Sequence, residues 1–322
     1  MIKTLQIYKS NSTDPYENLA VEKLLLDKVA EDTLILYLWQ NRKTVVIGKN
    51  QNPWAECNCR LLEEEGGKLA RRLSGGGAVF HDLGNLNFTF LCHEENYDLT
   101  RQQEVLLDAC RMAGIRAERS GRNDLLAEGR KFSGNAFYHS GGRAYHHGTI
   151  LIDADTALMS RYLTPSKAKL EAKGVKSVRS RVVNLKELSP ELTVEKMKQY
   201  LQAAFAEVYA LEPRPRSPLT KDMISPLAVQ YADWKTLYAT PLPLSLSYED
   251  RFDWGSIQLQ LEVKDGTVQD VRLYTDAMEH TLSEQVTAAL LGVRFAPAEL
   301  EKALSPLPCG KDLLQIFKKY SS

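Results

Sequence analysis

Residues 69–82, LARRLSGGGAVFHD, combine the types and spacing best suited to chemistry in this chain. Gly75, Gly76 and Gly77 leave consecutive backbone N–H groups with no side chains in front of them, and they accept positive φ without steric cost. Such a run can wrap an anion with its donors pointing inward. Arg71 and Arg72 add fixed charge in a fork that suits phosphate or carboxylate. A plain turn between two strands is the competing reading of the same glycines. No Gly-Lys-Ser/Thr follows, so the loop is not a P-loop, and no G-x-G-x-x-G opens a helix here. Ser74 lacks the G-x-S-x-G setting of a hydrolase nucleophile. His81 and Asp82 are chain neighbours and do not face each other as a dyad.

A second block, residues 130–134 (RKFSG), places Lys131 beside a Ser-Gly turn in a strand-rich region. It reads either as a buried cation or as a surface lysine. Asn123 and Asp124 precede it. A carboxylate beside a phosphate site can carry Mg²⁺, which takes one or two carboxylates plus substrate phosphates; an Asn-Asp pair also forms turns. His146 and His147 are adjacent on an expected strand, so they point to opposite faces and make a poor chelating pair. An anion loop, a lone lysine, a carboxylate and a basic stretch, without a nucleophile–base pair, describe an enzyme that works by positioning and electrostatics. Phosphoryl or adenylyl transfer is chemistry of that kind.

These residues need elements to hold them. Strands are expected over 2–8, 33–39, 44–47, 68–72, 78–81 and 86–91, from their β-branched, aromatic and alternating content. A helix is expected after Asp14-Pro15, with Glu17 completing a capping box. Another starts at Asn52-Pro53 and runs to about Glu65, and others span 100–114 and 193–211. Residues 120–153 read as strands broken by turns. Residues 164–185 carry six basic side chains and little apolar content, which predicts a long surface loop or lid. After the breakers Pro241 and Pro243 come strands over 252–263 and 268–274 and short helices over 281–291 and 297–304. Strands followed by helices, without regular βαβ alternation, predict an α+β fold, with a catalytic domain over 1–243 and a C-terminal unit over 247–322.

Forty-one basic and 41 acidic residues cancel among 322. No global attraction to nucleic acid or anionic membrane follows from that balance. No stretch has the pattern of a signal peptide or the length of a membrane span. The five cysteines are irregularly spaced, and Cys57-Asn-Cys59 is not C-x-x-C. They read as reduced, mostly buried thiols of a cytoplasmic protein.

Ten blocks in order, NLAVE (18–22), VVIG (45–48), QNPW (51–54), RRLSGGGAVFHD (71–82), GRNDL (121–125), RKFSGNA (130–136), HHGTIL (146–151), KGVKSVRSRVVNL (173–185), FDWG (252–255) and YTD (274–276), resemble the lipoate–protein ligase family over nearly the whole chain. The resemblance implies a mixed-sheet catalytic domain like those of biotin–protein ligases and class II synthetases, with a small α/β accessory domain. It implies that lipoate (or octanoate) and ATP–Mg²⁺ give lipoyl-AMP and pyrophosphate. The acyl group then passes to a lysine on the lipoyl domain of a 2-oxoacid dehydrogenase E2 subunit or on the glycine-cleavage H protein. A monomer is expected. By motif, Arg72, Gly77, Ala78, Val79, Phe80, Asn123, Asp124 and Lys131 would hold the nucleotide, with Asp124 also the Mg²⁺ candidate. Lys131 would be the catalytic residue. Leu19, Val21, Trp39, Arg72, Ser74, His81, Lys131, Ser133, Gly134 and His147 would shape the lipoate pocket.

Three rivals follow. An acyltransferase working through a cysteine thioester needs a Cys near the acyl carbonyl, and this chain has none between Cys110 and Cys309. A second rival transfers only from preformed lipoyl-AMP. A third binds lipoate without catalysis.

Overall fold

The computed structural model describes the chain except residues 122, 165–181, 239–245 and 321–322. Its strands are β1 (Thr4–Lys9), β2 (Thr33–Trp39), β3 (Thr44–Ile47), β4 (Lys68–Arg71), β5 (Val79–His81), β6 (Asn85–His93), β7 (Ala117–Ser120), β8 (Asp124–Ala127), β9 (Arg130–Ser140), β10 (Arg143–Leu151), β11 (Arg214–Pro215), β12 (Leu246–Phe252), β13 (Gly255–Lys264) and β14 (Thr267–Thr275). Eight of them form one mixed sheet in the order β11-β1-β2-β6-β10-β9-β8-β7. β1 runs parallel to β11 and to β2, and the other neighbours are antiparallel. A small sheet, β4-β3-β5, carries the glycine loop between β4 and β5, and a third, β12-β13-β14, is antiparallel. The architecture is α+β.

All seven residues of β2 are buried because both sheet faces are covered. Leu34, Leu36 and Leu38 point to a core shared with helices Leu99–Met112 and Val194–Tyr209. Ile35, Tyr37 and Trp39 point the other way, to helix Pro15–Asp27, as strand alternation requires. Asp14 caps that helix by accepting from the Tyr16 and Glu17 backbone N–H groups. The third sheet has its own core, including Leu259, Leu261, Val271, Val286, Leu304 and Leu313. No helix among the described residues is long and apolar enough to cross a membrane.

Several expectations need correction. The helix expected over 53–65 is two pieces, Pro53–Glu56 and Cys59–Glu64. Asn58 caps the second, and Cys57 leaves the helix to bridge Leu163. The strand expected from Phe252 is two: Phe252 ends β12 and pairs with Gly255 at the start of β13. Helices Lys221–Ala232, Trp234–Tyr238 and Gly310–Tyr320 were not expected. Leu185, placed in the basic loop, begins helix Leu185–Leu188. Residues 165–181 of that expected lid lie outside the described residues, while Val182 bridges to Lys131 and Val183 is buried rather than on a surface loop.

Candidate active site

One cavity of about 550 Å³ lies where the main sheet, the glycine loop and the third sheet meet. Arg72, Gly77, Ala78, Val79, Phe80, Asn123, Asp124 and Lys131 line it, and so do Leu19, Trp39, His81, Gly134 and His147. Val21, Ser74 and Ser133 are buried behind this wall. Val21 packs in the core beneath helix Pro15–Asp27, while Ser74 supports residues that do reach the cavity.

Arg72 is spent largely on the loop itself. Its Nε donates to Ser74 Oγ (3.0 Å) and Gly75 O (3.2 Å), its Nη2 to Gly75 O (2.7 Å) and Gly77 O (2.8 Å), and its Nη1 to Val46 O (3.2 Å). Burial pushes its pKa down to about 10, so it stays cationic at neutral pH. Arg71 turns away and ties Lys49, Gln51, Thr236 and Leu237 together through their carbonyls. The glycines answer to two demands. Gly76 has φ +88° and donates its N–H to Ala277 O at 2.8 Å. A Cβ on Gly75 would sit 2.4 Å from Ala277 O, so this glycine admits the segment after β14 against the loop. Asn50 O accepts from Thr275 N–H (2.8 Å) and Lys49 pairs with Glu284 (2.7 Å), holding the same junction.

On the opposite wall, β8 and β9 bring Asp124 and Lys131 together, with Oδ1 and Nζ 2.7 Å apart. Lys131 lies back toward Gly134, whose missing side chain leaves it room: a Cβ there would come within 2.7 Å of Nζ. Asn123 exchanges hydrogen bonds with Asn135 at 2.9 Å, which fixes the approach to Asp124. Among the described residues no cluster of three or more His, Cys, Asp or Glu side chains could hold a metal.

The two histidines of β10 do face opposite ways. His146 sits among Phe88, Phe90 and Phe137, and burial pushes its pKa down to about 3. His147 reaches the cavity and belongs to a buried chain. Its Nδ1 meets Glu22 Oε1 at 2.8 Å and its Nε2 meets Ser74 Oγ at 2.7 Å, next to Arg72. Glu22 Oε1 also accepts from Thr89 Oγ1 (2.7 Å), which in turn accepts from Trp39 Nε1 (3.1 Å). Sequence reasoning passed over Glu22; the signal was a carboxylate four residues after Asn18 on the apolar face of a helix. Arg251 and Met278, which help close the cavity from the C-terminal side, carried no signal of their own, whereas Asp253 and Asp276 lie in the FDWG and YTD blocks without a role assigned to them. All five cysteines are buried free thiols, and no described cysteine lines the cavity.

Comparison with known proteins completes this picture. Residues 14–206 match the family model of the lipoyl protein ligase A/B catalytic domain, and residues 243–319 that of the bacterial lipoate protein ligase C-terminus. The chain is 39% identical over 313 residues to a lipoate-protein ligase A of Bdellovibrio bacteriovorus, covering 94% of this chain and 92% of that one. A crystal structure of P. falciparum LipL1 in complex with lipoate superposes with a TM-score of 0.84 at 26% identity, covering 98% of each chain. A crystal structure of a lipoate-protein ligase A bound with ATP gives a TM-score of 0.61 at 25% identity, over 75% of this chain and 97% of that one.

Proposed function

The chain belongs to the lipoate–protein ligase family, and from that premise we propose that it activates lipoate with ATP and transfers the lipoyl group to a protein lysine. The observation that carries this reading is the shared cavity. It brings the glycine loop, Asp124 and Lys131 onto the same wall system as the apolar and aromatic side chains Leu19, Trp39 and Val46. A nucleotide and an acyl chain can therefore lie end to end. The chain divides at about 243–247 into a catalytic unit and an accessory unit.

In the first step the lipoate carboxylate attacks the α-phosphorus of ATP and pyrophosphate leaves. Two anions must approach, and Lys131 Nζ is placed to lie between them and offset the repulsion. Gly77, Ala78, Val79 and Phe80 pass along the nucleotide, in a loop shaped by Arg72. Asp124 offers a hard oxygen on the wall, which fits a Mg²⁺ arriving with the triphosphate, because such an ion needs only one or two protein carboxylates. Bound there, Mg²⁺ would neutralise phosphate charge. In the second step the acceptor lysine, deprotonated from an ordinary pKa of ~10.4, attacks the acyl carbon and AMP leaves. The acceptors expected are lipoyl domains of 2-oxoacid dehydrogenase E2 subunits or the glycine-cleavage H protein. The absence of a described cysteine from the cavity wall supports this route over a thioester.

The test is to incubate the protein with ATP, Mg²⁺, lipoate and an apo lipoyl domain, and to measure pyrophosphate release and labelling. Both are expected. Labelling from synthetic lipoyl-AMP but not from ATP and lipoate would identify a transferase without activation.

A further inference from the structure

The cavity wall that carries Leu19, Trp39 and Val46 also carries the polar side chains of His81, Asn87 and His147. His81 lies edge-on to Trp39, with ring centroids 5.9 Å apart, and is only 3% exposed. Its protonation is fixed by a hydrogen-bond chain that starts from backbone carbonyls. Ser12 O and Gln40 O can only accept, so the atom of Asn18 facing them at 3.1 and 2.9 Å is the amide nitrogen. That nitrogen also lies 2.9 Å from the Asn41 side-chain amide. Two amide nitrogens are both donors and cannot meet at that distance, so Asn41 presents Oδ1 there. Asn41 Nδ2 is then left to donate to His81 Nδ1 at 3.1 Å. The ring proton of His81 therefore sits on Nε2. Burial, with Arg72 and His147 nearby, pushes the pKa down to about 3 and keeps the ring neutral. This Nε2–H has no hydrogen-bond partner among the described residues.

Asn87, which pairs with Trp39 across β2 and β6 and is 1% exposed, adds a second open group. Asn85 Nδ2 donates to Asn87 Oδ1 at 2.9 Å, and Asn87 Nδ2 has no partner. Turning both amides over merely exchanges which atom of Asn87 is left open. Buried donors without acceptors are rare in folded proteins and point to a missing partner.

We propose that the His81 Nε2–H donates to a sulfur of the dithiolane ring, so that this pocket selects a sulfur-bearing acyl tail over a plain alkyl tail of the same length. The inference rests on the proposed function, which places the acyl carboxylate at Lys131. Lys131 Nζ lies beside Gly134, and Ala136, two residues on, pairs with His147. Two strand residues span roughly 7 Å, which brings a chain anchored at Lys131 to His147. Thr89, opposite His147 across β6 and β10, accepts from Trp39 Nε1 at 3.1 Å, and the Trp39–His81 corner lies on that side. A terminal methyl in that corner leaves the donor orphaned. A ring sulfur, though a weak acceptor, satisfies it.

Direct binding of the free acids tests this without requiring catalysis. Calorimetry with lipoate and octanoate is run on the wild type, on His81→Leu, which removes the donor, and on His81→Gln, which keeps one at the Nε2 position. The wild type is expected to bind lipoate roughly five- to tenfold more tightly than octanoate. In His81→Leu the ratio falls to about one, and His81→Gln restores part of it. An unchanged ratio in His81→Leu, or equal losses for both acids, overturns the inference and leaves His81 as plain wall. A wild type that binds both acids equally also overturns it while the proposed function stands. Binding of neither acid overturns both. If His81→Leu fails to fold, ¹⁵N-histidine NMR of the wild type decides: the protonated Nε2 resonance of His81 shifts with lipoate and not with octanoate, and identical shifts refute the inference.

Discussion

Replacing Glu22 separates the worth of an acceptor from the worth of a charge. Glu22 is nearly inaccessible, and one of its oxygens, Oε1, receives both the Thr89 hydroxyl at 2.7 Å and His147 Nδ1 at 2.8 Å. Glu22→Leu removes the acceptor and leaves two buried donors unpaired. At ~1–3 kcal/mol for each orphaned group, the loss is about 2–6 kcal/mol, a large share of the ~5–15 kcal/mol that holds a typical protein folded. His147 can move its proton to Nε2, but Ser74 Oγ, already an acceptor for Arg72, then loses the acceptor for its own proton. Glu22→Gln should behave differently. Both donors converge on one oxygen, so the amide oxygen of Gln can keep both bonds and give up only their charge assistance, about 1 kcal/mol. Urea denaturation with a lipoate KM on each variant is the assay. The expected order is a small loss for Gln and a loss several times larger for Leu, with KM rising in Leu as His147 loses its anchor. If Gln is as damaging as Leu, the stabilising element is the negative charge opposite buried Arg72, and the hydrogen-bond reasoning fails.

Lys131→Ala should cut adenylate formation by about 10²–10³. It should change stability by less than about 1 kcal/mol, because its pair with Asp124 is about a quarter exposed; near-normal turnover would sink the role given to Lys131. Stability should fall in acid. His81 and His146 are held neutral with pKa values of about 3, so below the unfolded value of ~6.5 only the unfolded chain takes up these protons. The two together cost about 2.7 kcal/mol per pH unit, or roughly 4 kcal/mol between pH 7 and pH 5. A urea midpoint that does not move over that range contradicts this. Replacing all five buried cysteines should leave activation and transfer intact where the fold survives, since burial already pushes Cys92 and Cys110 up to about 12. Selective loss of transfer would revive a thioester route.

What the sequence made legible was local. The glycine run, the Lys131 block and the alternation that sends His146 and His147 apart depend on residues close in the chain. The strand signal of residues 33–39 was equally plain, since seven apolar or β-branched residues in a row fit a strand covered on both sides. What stayed hidden depends on distant partners. Gly75 looks the same whether it wraps an anion or admits a passing backbone, and only its approach to Ala277 shows the second use. Glu22, Asn18 and Asn41 look like ordinary polar residues until the fold brings His147 and His81 to them. Helix Lys221–Ala232 was missed because Pro226 lies inside it. β12 was missed because SYEDRF is polar and only partly covered at a sheet edge.

The most direct test of one cavity serving both steps is a single turnover with the acceptor withheld. The protein is mixed with α-³²P-labelled ATP, Mg²⁺ and lipoate, then passed through a desalting column. One equivalent of labelled lipoyl-AMP is expected to travel with each protein chain, with pyrophosphate released in the same amount. An apo lipoyl domain added afterwards should discharge it as AMP while acquiring the lipoyl group. Protein that carries no adenylate, or an adenylate that the lipoyl domain cannot discharge, would contradict the proposed function at its centre.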